Sequence, residues 1–352
     1  EYNNYYTTQP HAEVLNNLLG RPVRFVDDVC GPAARAQIKA LTPGEILLLD
    51  NVRFCAEEQT LFEMKLRLTH EEQAQTQVVS KLSPLMDYYV CDAFAAAHRD
   101  QPSLCGFEQV LPSMMGRLFE REYVVISELM AQPERPCVFV LGGAKVADAF
   151  GMMDSVLSSG AADQVLTGGL VANILLKAKG EPIGSGSEDT LRKLGLDEMV
   201  QTAKDLLSKH SGKLVLPDTL AYLEGGRRHE AAPKDLPEDA AALDIGEQTA
   251  RTYADIIRAA STVFVNGPMG VFEQEQTELG TRIVWDALGD TKAHTVVGGG
   301  DSITATSKYQ KTASISYICT GGGALIRFLT GEELPVVKAL RHAAKAFGEE
   351  TL

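Results

Sequence analysis

One pattern constrains this chain more than any other: in its second half, short apolar runs of strand length end in glycines and lead into helical patterns. Residues 137–141 end in Gly142-Gly143, 164–166 in Gly168-Gly169, and 263–265 in Asn266-Gly267-Pro268. Residues 295–297 end in Gly298-Gly299-Gly300, and 315–319 in Thr320-Gly321-Gly322-Gly323. Strands that alternate with helices predict a parallel sheet, because parallel strands need crossovers and crossovers are usually helices. All the glycine loops then fall on one edge, where doubly wound sheets hold their ligands. A single Gly-Gly is explained equally well by a tight turn. Five on one edge predict more: glycine lets the backbone approach a bulky anion, and each helix start adds unpaired N–H groups and the positive end of a dipole. The expected ligand is a phosphate group or several.

The first half carries three strand-like runs, 23–29, 45–53 and 87–93, separated by helical or polar stretches. A helical pattern from about Met114 to Met130 stops before Pro133 and Pro136 and is expected to connect two domains. A chain of 352 residues fits two domains. The polar segment 224–239 is expected to be an exposed loop. Residues 335–347 form an amphipathic helical pattern with Val336, Leu340 and Ala344 on one face.

Composition removes whole classes of partner. A net charge of -14 repels phosphate polymers, so nucleic acid and anionic membrane are not expected. No run approaches the ~18 apolar residues of a membrane span, and Glu1 to Tyr6 lack the apolar core of a signal peptide. The six cysteines lack the paired spacing of a zinc or thioredoxin-type motif and predict reduced, buried thiols in a cytoplasmic protein. The phosphate motifs of two large classes are also missing. There is no G-x-x-x-x-G-K-[ST], and no loop supplies G-x-G-x-x-G with an acidic residue about twenty positions on.

Six blocks then carry a resemblance. LLDNVRF (48–54), DAFAAAHR (92–99), LGGAKV (141–146), NGPMGVFE (266–273), GGGD (298–301) and TGGGA (320–324) occur in the order found in phosphoglycerate kinases, and the surrounding segments resemble the archaeal branch. The resemblance covers nearly the whole chain. It implies an α/β protein of two doubly wound parallel-sheet, Rossmann-like domains joined by a hinge helix. Residues 1–133 with a C-terminal helix of about 336–352 would bind phosphoglycerate, and 134–335 would bind the nucleotide. The implied reaction is reversible, direct in-line phosphoryl transfer between 1,3-bisphosphoglycerate and ADP, giving 3-phosphoglycerate and ATP. It needs Mg²⁺ and no general base, so catalysis rests on positioning and charge neutralisation. A monomer is implied, with dimers as the alternative among archaeal relatives.

The resemblance also implies residue roles. Arg99 and Arg135 would hold phosphoglycerate, as planar, permanently charged forks suit carboxylate and phosphate. Lys145 would reach the transferring phosphate, with Gly142, Gly143, Gly168 and Gly169 on the nucleotide side. Glu273 would bind the ribose, Asn266, Gly267 and Pro268 would flank the nucleotide, and Asp301 would hold the metal. Gly298, Gly299, Gly300 and Ser302, with Thr320, Gly321, Gly322 and Gly323, would line the phosphates. Two departures stand out. Ala149 occupies the position where many members carry a second lysine. The Asp-x-Asn and His-x-Gly-Arg-Pro motifs that open the family are missing, Gly20-Arg21-Pro22 being a chance turn after Leu18. The expectation is therefore a chain that lacks the N-terminal segment and has an incomplete first domain, and a nucleotide-binding fragment without activity is the alternative reading.

Overall fold

The computed structural model describes residues 6–348 except 64 and 65, with the side chains of 60–63 also outside the description. The chain divides into two compact units, one from the described residues of Glu1–Arg121 and Glu333–Leu352, the other Glu122–Glu332. The division falls inside the helix Arg117–Ala131, earlier than the boundary expected near 133.

The first unit holds four short strands, β1 (Val23–Val26), β2 (Ile46–Leu49), β3 (Tyr89–Cys91) and β4 (Ser113–Met115). β1 pairs with β2 and β3 with β4, both parallel. The parallel pairing agrees with the expected doubly wound class, and among the described residues it takes the form of two separate pairs. β4 also replaces the expected start of the connecting helix, which begins at Arg117 instead of near Met114. Gly20 is the left-handed cap that ends the helix Gln9–Leu19, its N–H on the Asn16 carbonyl, so Gly20-Arg21-Pro22 is a turn into β1. The core combines stacked Tyr89 and Phe107, ring centroids 5.1 Å apart, with Phe94 edge-on to Phe119. Val336, Val337 and Leu340 of the helix Pro335–Phe347 are buried, as the amphipathic spacing predicts. Residues 349–352 of the expected C-terminal helix lie outside the described residues.

The second unit is built on one sheet of β5 (Cys137–Leu141), β6 (Gln164–Thr167), β7 (Leu214–Val215), β11 (Thr262–Asn266), β12 (His294–Gly298) and β13 (Tyr317–Cys319). Its order is β13-β12-β11-β5-β6-β7 and every pairing is parallel. The continuous apolar runs follow from that placement, since strands covered by helices on both faces have no polar side. All five residues of β5 are fully buried. Phe139 and Phe264 sit opposite each other on neighbouring strands, 4.9 Å between centroids. Tyr253 reaches under the sheet, its hydroxyl 3.0 Å from the carbonyls of both Thr167 and Val215, tying β6 to β7. Among the described residues no helix is long and apolar enough to cross a membrane.

The segment expected to be an exposed loop is a hairpin. β8 (Leu220–Glu224) turns at Gly225-Gly226 into β9 (Arg227–Ala231), and β10 (Asp244–Ile245) pairs on the far side of β8. A two-residue Gly-Gly loop is a hairpin signal, masked here by the charged run Arg-Arg-His-Glu. Arg228 crosses to the buried Asp244, Nη1 3.0 Å from Oδ2, while the Gly280 amide donates to the same oxygen at 2.7 Å. Asp244 Oδ1 has no partner among the described residues. Burial pushes this carboxyl up to about 7 in spite of Arg228. Between the ordinary carboxylate range and about pH 7, the folded protein keeps a proton that the unfolded chain has released, so this group's contribution to stability falls as pH rises through that window. Thermal unfolding of wild type and Asp244→Asn at several pH values should show wild type losing ground to the variant from about pH 4 to about pH 7 and holding level above it.

Candidate active site

Sheet order fixes where a ligand can enter the second unit. From β5 the order runs outward through β6 to β7; from β11, on the other side of β5, it runs outward through β12 to β13. The winding reverses between β5 and β11, so the loops leaving their carboxyl ends diverge and open a crevice. Those loops are 142–145 and 266–273.

The loops are laced together through their backbones. Gly142 N–H donates to the Asn266 carbonyl at 2.9 Å, Gly143 to Pro268 at 2.8 Å, and Gly169 to Met269 at 2.7 Å. Gly267 N–H donates to Ser302 Oγ at 2.6 Å. Such contact leaves no room for side chains. Gly267 has φ +92°, and a Cβ there would stand 2.2 Å from the Gly142 carbonyl; one on Gly142 would stand 2.2 Å from the Pro268 carbonyl. The amides of Gly142, Gly143, Gly169 and Gly267 are therefore committed within the protein. Their glycines shape the crevice.

Two cavities adjoin there. The first, about 250 Å³, is walled by apolar and small groups, including Leu170, Ala242, Leu243, Pro268, Val271 and Phe272, with Glu273 and Asp301 among its lining. The second, about 210 Å³, is lined by Gly142, Lys145, Asn266, Gly299, Gly300, Asp301, Gly322 and Gly323. Gly143 and Asp301 line both. A flat apolar slot beside a glycine-walled polar pocket can take a base on one side and phosphates on the other. Lys145 caps the helix Val146–Ser158, so its ammonium and the helix's positive end reinforce each other toward an anion. Among the described residues neither Lys145 nor Asp301 has an ion-pair partner, and both are exposed. Asn266 Nδ2 is buried without a partner among the described residues, a donor left for a ligand oxygen.

Other expected residues have different work. Arg135 is not brought to the crevice: it precedes β5, at the opposite edge, about five strand residues or roughly 16 Å away. Its guanidinium binds Asp163 Oδ1 at 2.6 Å and the Gly160 carbonyl, while Asp163 Oδ2 also receives the Cys137 amide. The Thr320 amide and hydroxyl both donate to Glu122 Oε1, at 2.8 and 2.7 Å, so Thr320 anchors its loop and offers no N–H to a phosphate. Gly321 lines neither cavity. Gly168 and Gly298 serve packing, since a Cβ would meet Met269 or Leu325. Ser302 lines the second cavity, but its buried hydroxyl receives the Gly267 amide. Ala149, at the position where many members of the family carry a second lysine, is buried.

In the first unit, Arg99 lies half-buried beyond the carboxyl end of β3, its N–H on the Ala96 carbonyl at 2.9 Å. Arg53, which sequence reasoning passed over although the LLDNVRF block contains it, stands just past β2 on a turn capped by Asn51 Oδ1, 3.0 Å from its amide. Asn173, Ser187 and Thr190 in the first cavity were also missed. They come from helices whose sequences carry no motif.

Fold and crevice define an α/β protein of the doubly wound class, its ligand crevice at the switch point of a parallel sheet. The family model for phosphoglycerate kinase matches residues 1–332. The chain is 42% identical over 341 residues to the phosphoglycerate kinase of Methanothermus fervidus, covering 97% of this chain and 82% of that one. It is 44% identical to that of Thermococcus kodakarensis, covering 97% and 83%. The crystal structure of phosphoglycerate kinase from Pyrococcus horikoshii OT3 matches with a TM-score of 0.86 at 40% identity, over 97% of this chain and 84% of that one. This chain belongs to the phosphoglycerate kinase family.

The lacing predicts which substitutions the crevice tolerates. Ser302→Ala orphans the buried Gly267 amide and should cost about 1–3 kcal/mol. Gly300→Ala, whose Cβ would meet nothing within 4 Å, should change stability by less than about 0.5 kcal/mol. Chemical denaturation of both variants checks the contrast.

Proposed function

We propose that this chain is a phosphoglycerate kinase, a phosphotransferase with a carboxyl group as acceptor, moving a phosphoryl group between 1,3-bisphosphoglycerate and ADP. The observation that carries the reading is the pair of adjoining cavities at the β5/β11 switch point, apolar on one side and glycine-walled on the other, in a chain of this family. The family match through residue 332 disfavours the inactive nucleotide-binding fragment. All six cysteines are free, which suits the cytoplasm, where we place the protein.

In this reading the base enters the apolar slot, Glu273 meets the ribose hydroxyls, and the phosphates lie against Gly299, Gly300, Gly322 and Gly323. Lys145 draws the transferring phosphate through its own charge and the helix end behind it. Asn266 Nδ2 supplies a neutral donor. The exposed Asp301 carboxylate, with no donor on it among the described residues, fits an oxygen-seeking magnesium ion. Bound there, magnesium would neutralise charge on phosphate oxygens. Arg99 binds the three-carbon acid, and Arg53, in the turn after β2, assists it. Neither nucleophile nor leaving group carries a proton that must move, so orientation and charge account for catalysis.

A coupled assay with 3-phosphoglycerate and ATP tests the reading directly, and absence of turnover would end it. Arg99→Ala should raise the KM for 3-phosphoglycerate while leaving that for ATP nearly unchanged, a loss of about 1.5–3 kcal/mol for one charge-assisted contact. Asp301→Asn should remove the magnesium dependence of ADP affinity in a calorimetric titration without lowering the melting temperature. A magnesium dependence equal to wild type would make Asp301 only part of the helix start.

A further inference from the structure

Three side chains of different ligating type meet in the first unit. We propose that His70, Asp100 and Cys105 form a binding site for a thiophilic divalent cation of the zinc class. One ligand atom from each, the His70 ring nitrogen, an Asp100 oxygen and Cys105 Sγ, lies within 4.8 Å of the others. His70 Nε2 stands 3.4 Å from Asp100 Oδ1. With metal–ligand bonds of about 2.0–2.3 Å, the edge of a zinc tetrahedron is about 3.3–3.8 Å. One edge is therefore already formed, and the sulfur needs to close by only about 1 Å.

The surroundings hold these groups in place. Gln73 Nε2 donates to Asp100 Oδ1 at 2.6 Å, the outer hydrogen bond that orients a ligating carboxylate. Gln101 donates to the Glu58 carbonyl and Ser103 N–H to the Glu58 carboxylate, pinning the backbone between Asp100 and Cys105. The fully buried Glu108 has both oxygens without a partner among the described residues. Burial above all, then Glu108 and Asp100, opposes ionisation of the Cys105 thiol, and burial pushes the Glu108 carboxyl itself up to about 8. Against burial, the Asp100 carboxyl is held below its ordinary value by hydrogen bonds from His70 and Gln73 and by the charges of His70 and Lys338. A dication reverses the balance around the sulfur: the S–H bond breaks, its proton leaves to solvent, and a metal–sulfur bond forms. The half-exposed Asp100 side leaves a fourth position to water, the arrangement of an open site. Cys105 Sγ now donates to the Arg99 carbonyl at 3.8 Å, a contact that metal binding would remove.

Zinc titration of the whole chain against a chromophoric chelator, in reducing buffer, tests the site. The expected result is one zinc per chain with one proton released, and affinity reduced by at least about 10²-fold in His70→Ala and in Cys105→Ser. Cys55→Ser, which removes a thiol at the neighbouring Cys30/Cys55 pair, should bind as wild type. Cobalt in place of zinc should give a thiolate charge-transfer band that Cys105→Ser abolishes. Should Cys105→Ser fail to fold by circular dichroism, His70→Ala carries the test. Wild-type affinity no higher than that of His70→Ala, or loss of zinc in Cys55→Ser, would overturn the proposal.

Discussion

The second unit depends on close backbone contact between the loops that follow β5 and β11. At the switch point of a doubly wound sheet these loops separate, and a crevice there is only as well defined as the loops are fixed. Here they are fixed by amide-to-carbonyl bonds from Gly142 and Gly143 and by the Ser302 hydroxyl on Gly267. A side chain at Gly142 or Gly267 would push them apart. Glycine is thus required first by the architecture, and the ligand exploits the surface that results.

Around that lacing, several buried polar groups hold the crevice walls. Glu122, almost wholly buried, takes hydrogen bonds from Cys319 Sγ and from the Thr320 amide and hydroxyl, fastening the loop that leads to Gly322 and Gly323. Asp244, held by Arg228 and Gly280, lies beside Leu243, whose carbonyl receives the Val271 amide of the base slot at 2.7 Å. Asn173 donates to the Ala242 carbonyl and Ser187 receives the Ala242 amide, setting the opposite wall. Among the described residues, the side chains left for a ligand include Lys145, Asp148, Asn266, Glu273 and Asp301. A reaction that moves no proton asks for little else.

The first unit has a different character. Its two parallel pairs are short and partly exposed, and its packing leans on aromatic contacts and on a helix from the far end of the chain. Arg53 and Arg99 lie in the turns that come after β2 and β3, so those strands place their backbones.

Much of this was legible in the residues. Strand β5 follows from an unbroken apolar run before Gly-Gly, and the carboxyl edge of the second unit follows from the repeated strand, glycine and helix pattern, because periodicity and glycine act locally. The motif blocks that hold Asp301, Glu273 and Lys145 come together at the crevice. The hairpin at Gly225-Gly226 was hidden by a charged run of which only Arg228 turns inward, drawn by Asp244 16 residues further on. Arg135 matched a motif, yet its place ahead of β5 sends it to the wrong edge, where Asp163 takes it. The sequence by itself determined the class of fold and the edge that binds. Only tertiary structure decided which glycine amides remain open and which side chains reach the crevice, because hydrogen-bond partners such as Gly142 with Asn266, or Thr320 with Glu122, are chosen by packing between segments more than a hundred residues apart.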